Sequence, residues 1–246
     1  REAAISHLPM VLTQGLASYL HAYPHSCTEQ LVSMSVPALV LARHSDLGRD
    51  VAPEGKTIGD VVDLLRARQN TEGGFGLWAA NHYVIEIVAV YAQHFLIEAR
   101  ERGHAIAPDL LKHGNDYLRQ LAASDGADLA GERARAYAIY LLTRQGIVTS
   151  NFAAALQKRL EESYPKQWRT DLASAYLASA YMQMKQERLA ERIIGEVPFG
   201  TERGYAHYYD MLVHDAQLFY LIVRHFPERA KRLAPTVLEG LVKPIN

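Results

Sequence analysis

Cysteine is almost absent: Cys27 is the single one in 246 residues. One thiol cannot form an internal disulfide, so no disulfide framework staples this chain, and its redox compartment is left open. No apolar stretch reaches the ~18 residues of a membrane-spanning helix, so the segment makes no direct membrane contact of that kind. Formal net charge is −1, and no field of one sign favours nucleic acid or an anionic membrane. Runs of Lys/Arg and basic stripes interleaved with aromatics are missing too, which argues against nucleic-acid binding. No Pro/Gly/Ser-rich linker divides the chain, and the expectation is a single domain over 1–246. Its opening residues, Arg1-Glu2-Ala3-Ala4-Ile5, hold neither a start methionine nor a signal peptide and read as part of a longer protein.

What is present is a chain able to fill a core. Hydrophobic residues make up 49% and charged residues 22%, as in soluble globular proteins. Apolar residues recur at helical spacing almost throughout. The expected helices are His7–His21, Thr28–Ala42 (interrupted by Pro37), Thr57–Gln69, Asn81–Arg102, Pro108–Ala122, Asp128–Gln145, Ser150–Tyr164, Thr170–Lys185, Glu187–Ile194, Ala206–Phe226 and Glu228–Val242. Thr57 followed by Asp60 is a capping start, and glycines at 103, 146 and 195 mark stops. Short loops favour antiparallel neighbours. The Ala-rich stretches 134–138 and 173–180 suit helices packed on two sides. An all-α fold, an α/α toroid of about eleven to twelve helices in two concentric layers, fits better than a four-helix bundle or a repeat array.

The lone thiol lies in a polar, Pro-containing turn, Tyr23-Pro24-His25-Ser26-Cys27-Thr28-Glu29-Gln30. Side chains three apart share one helical face. The Cys27 sulfur can therefore attack the side-chain carbonyl of Gln30, expel ammonia and close a ring of about fifteen atoms. Such a thioester is a stored acylating agent, and a nucleophile that reaches it becomes attached to Gln30. The plainer reading of a lone cysteine is a small buried hydrophobe.

That turn resembles the Tyr-Pro-x-x-Cys-x-Glu-Gln signature of the alpha-2-macroglobulin and complement thioester proteins, in their bacterial branch. Gln69-Asn70-Thr71-Glu72-Gly73-Gly74-Phe75-Gly76-Leu77-Trp78 is similar to the family's Gly-Gly-Phe-x-x-Trp turn, and Arg133–Leu142, Asp215-Ala216 and His225-Phe226-Pro227 extend the likeness. The resemblance implies a toroidal thioester domain within a much larger protease inhibitor. After bait cleavage in another domain, an amine of the attacking protease would be captured on Gln30. It assigns Cys27 as the thiol, Gln30 as the acyl donor, Glu29 as the family's acid, and Tyr23 and Pro24 as shield and brace. It implies no cofactor and no catalytic turnover. The partners are target proteases and other domains of the same polypeptide. The location is the periplasm, behind a membrane anchor, with the extracellular space as second choice. Complement-type members carry a directing histidine in a later loop and macroglobulin-type members an asparagine. Here that stretch is Ala122-Ala123-Ser124-Asp125-Gly126-Ala127-Asp128 and holds neither, which points to amines as the preferred nucleophile.

Rival readings rest on fewer residues. His25 or Asp125 could modulate a reactive thiol, but a Cys–His hydrolase also needs an orienting group and an oxyanion hole. His207, Asp210, His214 and Asp215 invite a metal, with His207/Asp210 the best-spaced pair, yet surface solvation explains that pair more easily, and no metal is expected. His21, His82, His94, His113 and His225 read as surface or helix-end residues. The 69–78 turn is also similar to that of terpene cyclases and prenyltransferases, but their Asp-rich or zinc motifs are missing, and Phe75 and Trp78 read as plugs of helix ends. A toroid glycosidase would need two carboxylates about 5–10 Å apart, for which Glu86, Asp116 and Asp171 stand as members. Tyr181–Met184 and Tyr205, Tyr208 and Tyr209 read as packing. A degenerate, purely structural domain is the remaining alternative.

Overall fold

The computed structural model describes residues 26–41, 57–233, 237 and 240–241. Within them the secondary structure is helical, with two isolated bridges, Gln69 with Phe75 and Ala206 with Tyr209, in place of strands. The expected helix over His7–His21 lies outside the described residues, as do residues 234–236, 238–239 and 242 of the helix expected over Glu228–Val242. Cα packing divides the chain between Tyr117 and Leu118 into two compact units.

The first unit holds α1 (Thr28–Leu41), α2 (Ile58–Arg68), α3 (Glu86–Glu101) and the start of α4 (Pro108–Ala123). α1 packs on both α2 and α3. Leu31, Val32, Leu65, Val88, Phe95, Leu96 and Leu110 are fully buried there, each such side chain contributing about 1.5–3 kcal/mol of burial. α1 runs through Pro37. α2 opens on a complete capping box. The Asp60 N–H donates to Thr57 Oγ1 (3.2 Å), and the Thr57 N–H donates to Asp60 Oδ2 (2.7 Å).

The second unit holds α5 (Leu129–Arg144), α6 (Ser150–Ser163), a 3-10 turn at Trp168–Thr170, α7 (Leu172–Gln183), α8 (Glu187–Ile194), α9 (Met211–His225) and α10 (Pro227–Ala230). α7 is its hub, touching α5, α6, α8 and α9. Burial is continuous over Glu132–Leu142 of α5 and Leu172–Tyr181 of α7. A helix buried all round cannot carry one apolar stripe, which is why the small residues foreseen at 134–138 and 173–180 sit here. Tyr137 and Tyr176 stack at 4.3 Å between ring centroids. The Asp171 carboxylate caps α7 and takes two bonds from Arg133, 2.8 and 2.7 Å. Gly103 and Gly146 end helices with φ of 92° and 77°. Gly195 ends α8 in a right-handed conformation instead.

Three helix starts differ from expectation. α3 begins at Glu86 rather than Asn81, because Asn81 Oδ1 accepts from the Tyr83 N–H and holds the chain in a turn. α7 begins at Leu172, after the 3-10 turn. α9 begins at Met211 rather than Ala206, because His207 and Tyr208 adopt positive φ (51° and 60°) in a tight turn that the Ala206–Tyr209 bridge closes. α10 ends after four residues, at a turn over Lys231 and Arg232, and of the described residues beyond it 237, 240 and 241 are helical, within the span expected for the last helix.

Candidate functional site

α1 begins at the thiol. The Leu31 N–H donates to the Cys27 carbonyl at 2.8 Å, so Cys27 occupies the capping position and Gln30 the third helical position. The Cys27 N–H donates to Gln30 Oε1 at 3.2 Å. That is one half of a capping box, in which the third residue's side chain reaches back to the cap. The other half, from the Cys27 side chain, is missing: the buried thiol, 8% exposed, is free. The Gln30 side-chain carbonyl is thus held at the thiol's own residue, with a donor on its oxygen. A donor so placed stabilises the oxyanion that forms when a nucleophile adds to that carbonyl.

The turn is fastened to the glycine-rich segment after α2. Thr28, fully buried, donates its N–H to Leu77 O (2.8 Å) and its hydroxyl to Gly76 O (2.6 Å), with Leu77 O at 3.1 Å from the same hydroxyl. Arg68, the last residue of α2, donates from Nη2 to Ser26 O (2.8 Å) and from Nη1 to Thr28 Oγ1 (3.2 Å) and Leu77 O (3.3 Å). Burial pushes the Arg68 guanidinium below its ordinary pKa, while the Cys27 sulfur acts in the opposite direction. Its backbone carbonyl accepts from the Gly76 N–H at 3.0 Å. One residue therefore holds the glycine turn by its backbone and the cysteine turn by its side chain.

The glycines are required there. A Cβ on Gly73 (φ 88°) would lie 1.9 Å from His113 O, and one on Gly76 would lie 2.0 Å from Ala79 O. Gln69 and Asn70 stitch the turn: Gln69 Nε2 donates to Gly73 O and Leu110 O, while Asn70 Oδ1 accepts from the Glu72 and Gly74 N–H groups. Phe75 is buried as expected, but Trp78 is 59% exposed. The chain turns outward after Leu77, whose carbonyl stays with Thr28, so Trp78 plugs no helix end.

Glu29 is half-buried in the first turn of α1, where a negative charge suits the helix dipole. It accepts from Ser33 Oγ (2.7 Å), which lies 3.3 Å from Tyr91 Oη. Burial raises the Tyr91 phenol to about 12, so it stays neutral. Tyr23, Pro24 and His25 lie outside the described residues. Asp125 is exposed beside Arg159 (3.3 Å) in the second unit. Arg68 and Thr28 were missed by sequence reasoning; a residue forty positions downstream carries no local signal of this contact.

The metal candidates have other employment. His214 is buried, its Nε2 3.0 Å from Pro198 O and its Nδ1 2.6 Å from Tyr209 Oη. Asp210 caps α9, Asp215 accepts from the Gly200 N–H, and His207 sits in the turn before the helix. His207 is exposed and Asp210 half-buried, so surface solvation holds for the histidine of that pair, while His214 lies in the interior. His94 is likewise buried rather than on the surface, 3.5 Å from Glu98. No metal-binding group of three His, Cys, Asp or Glu occurs among the described residues. Of the carboxylates, Asp171 is bound to Arg133 inside the second unit and Asp116 lies 3.0 Å from Lys112. Tyr181 and Tyr209 pack as expected, whereas Tyr205 is exposed.

No family model matches the chain. It is 39% identical to an alpha-2-macroglobulin homolog of Yersinia pestis over 98% of its own length, and 31% identical to the alpha-2-macroglobulin of Rickettsia conorii over the same share. The alpha-2-macroglobulin of Pasteurella multocida is 33% identical over all of the chain. The chain spans only 12 to 14% of the length of these relatives. Among solved structures, native Escherichia coli alpha-2-macroglobulin from domain MG7 to the C-terminus superposes with a TM-score of 0.75, covering 94% of this chain and 38% of that one at 20% identity. Salmonella alpha-2-macroglobulin reacted with methylamine gives 0.73 over 97% of this chain and 16% of that one, at 25% identity. The likeness in fold is consistent with the all-α toroid expected. Over nearly its whole length, the chain is a homologue of one segment of the bacterial alpha-2-macroglobulins.

Proposed function

We propose that this chain is the thioester-bearing domain of a bacterial alpha-2-macroglobulin-like protease inhibitor, and that Cys27 and Gln30 form its internal thioester. The observation that carries this is the bond from the Cys27 backbone N–H to Gln30 Oε1 at the start of α1, which draws the Gln30 amide back to the residue that bears the free thiol. In ring closure the sulfur adds to the Gln30 side-chain carbon, the C–N bond breaks and ammonia leaves with the thiol proton. In ring opening an amine nitrogen adds to the same carbon, the C–S bond breaks, and the electron pair returns to sulfur.

Each captured amine consumes one ring, so the domain is a single-use acylating agent and not a protease. The protein targets are attacking proteases, captured through their lysines after bait cleavage elsewhere in the polypeptide. This agrees with relatives: there are solved structures of Salmonella alpha-2-macroglobulin reacted with methylamine and of the Escherichia coli protein activated by trypsin and by porcine elastase. A periplasmic site of action, behind a membrane anchor, suits a defence against foreign proteases. Glu29, Tyr23 and Pro24 brace and shield the bond in this reading, with His25 as a modulator of its reactivity.

Mass spectrometry of the whole, unactivated protein is the test. Ring closure removes ammonia, a loss of ~17 Da on the Cys27–Gln30 peptide, and methylamine then adds at Gln30. Cys27→Ala abolishes both while leaving the fold. A free Cys27 thiol beside an intact Gln30 amide in unactivated protein sinks the reading.

A further inference from the structure

Arg68 is 7% exposed, and its three bonds go to neutral oxygens: Ser26 O, Thr28 Oγ1 and Leu77 O. Among the described residues no carboxylate pairs with it. The contrast within the same chain is Arg133, equally buried, which is held by Asp171 at 2.7 Å. A buried guanidinium without a counter-ion is costly, and such charges are normally paired. Arg68 is also not loosely placed: it grips both neighbours of Cys27 in the sequence, so its charge is fixed beside the thiol.

The chemistry of the site supplies the missing anion. When an amine opens the thioester, the electron pair of the broken C–S bond ends on the Cys27 sulfur, and the amine proton passes to water. When the ring closes, the thiolate attacks the Gln30 carbon and ammonia departs. In both directions the sulfur carries negative charge at the demanding step. We propose that Arg68 is the positioning residue of this site, holding the Cys27 turn in register and placing a permanent cation where the departing sulfur becomes anionic. The inference rests on the thioester reading and adds to it the residue that eases the breaking of the bond. The Cys27 N–H then serves the oxygen of the reacting carbonyl, and Arg68 the sulfur. Together they stabilise both atoms that gain charge.

A purely structural clamp would make the same hydrogen bonds, so the test separates charge from shape. Arg68→Lys keeps the charge, Arg68→Gln keeps donors without charge, and Arg68→Met keeps neither. In the whole protein, methylamine incorporation at Gln30 and release of the Cys27 thiol are timed by peptide mass spectrometry. An opposite charge within a few ångströms is worth about tenfold or more. Gln and Met are therefore expected to open at least about tenfold more slowly than Lys, or to leave the ring unclosed where Lys closes it. Equal rates for Lys and Gln, fast or slow, overturn the role of the charge, as does failure of all three variants to close the ring. Wild-type protein without the ammonia loss overturns the thioester reading and this inference together. Ring-bearing wild type with equal variants overturns this inference alone.

Discussion

Replacing Thr28 by Val isolates the contact that docks the cysteine turn on the glycine turn. The two side chains have the same shape, so packing is kept and only the hydroxyl is lost. That hydroxyl donates to Gly76 O at 2.6 Å and accepts from Arg68 Nη1 at 3.2 Å, in a residue with no exposed surface. The lost hydrogen bond to Gly76 is worth about 1 kcal/mol, and one to a charged donor about 1.5–3. Part of the second term is recovered, because Arg68 Nη1 keeps Leu77 O at 3.3 Å. A net loss of about 3 kcal/mol in local stability follows. The Thr28 N–H to Leu77 O and Leu31 N–H to Cys27 O bonds, both 2.8 Å, report on it. Their hydrogen exchange in the whole protein should speed up by roughly a hundredfold, since every 1.4 kcal/mol is a factor of ten. Thr28→Ser, which keeps the hydroxyl, should change exchange by less than about tenfold. If Val and Ser behave alike, the hydroxyl is not what fastens the turn, and the reasoning fails.

Three further outcomes follow from the packing around Arg133, Gly73 and His214. Arg133→Met strands the Asp171 carboxylate in the interior and should cost about 3–5 kcal/mol. The double change Arg133→Met/Asp171→Leu should recover part of that in urea unfolding, less about 1 kcal/mol for the lost Asp171 cap, and a double mutant less stable than the single one refutes the pairing argument. Gly73→Ala must adopt φ near 88° and meets His113 O at 1.9 Å, so a loss above about 1 kcal/mol is expected. A neutral result would mean that the turn relaxes freely. His214 gives a pH dependence of known sign. Its Nε2 faces a carbonyl and must carry the proton, so its Nδ1 accepts from the Tyr209 hydroxyl. Burial first, then Arg203, lowers its pKa from 6.5, against the opposing pull of Pro198 O, Asp215 and Asp171. The unfolded chain takes up the proton more readily, so this contribution is intact above pH 6.5 and declines as pH falls towards the depressed folded value. His214→Asn should flatten the acid limb of the urea-midpoint profile, and an unchanged limb assigns it elsewhere.

Helix existence was legible in the sequence because apolar spacing and caps act locally. Thr57 with Asp60 and the glycines after α3 and α5 all did in the fold what their chemistry predicts. The starts of α3 and α9 were not legible, because each depends on a side-chain or backbone choice that periodicity ignores: the Asn81 turn in one case, the left-handed pair His207–Tyr208 in the other. The cysteine site was half legible. Cys27 and Gln30 declare themselves by spacing, and the Gly73–Gly76 turn by composition. That the two belong together was not visible, since Arg68 and Thr28 join them across some forty residues of sequence. The exposure of Trp78 has the same origin: its neighbour Leu77 is claimed by Thr28.

The spacing of Cys27 and Gln30 has a reason beyond reach. In a capping box, the side chains of the cap and of the third helical residue cross over, each towards the other's backbone. Thr57 and Asp60 show the complete exchange at α2. At α1 the glutamine makes its half of the exchange, but a thiol is a poor acceptor and leaves its own half open. The sulfur is thereby left without a competing partner, next to a carbonyl already drawn back to the cap. A thioester between these positions is a capping box closed by a covalent bond in place of the second hydrogen bond. Helix formation itself then performs most of the approach that ring closure requires, which is the effect of holding two reactants in one geometry. It follows that Gln30→Glu should keep the start of α1, because a carboxylate at the third position serves the cap equally well, while removing the amide that the thiol needs. Retained hydrogen-exchange protection at Leu31 with no amine capture is the expected result; loss of that protection would show that the amide, rather than the capping geometry, organises the turn.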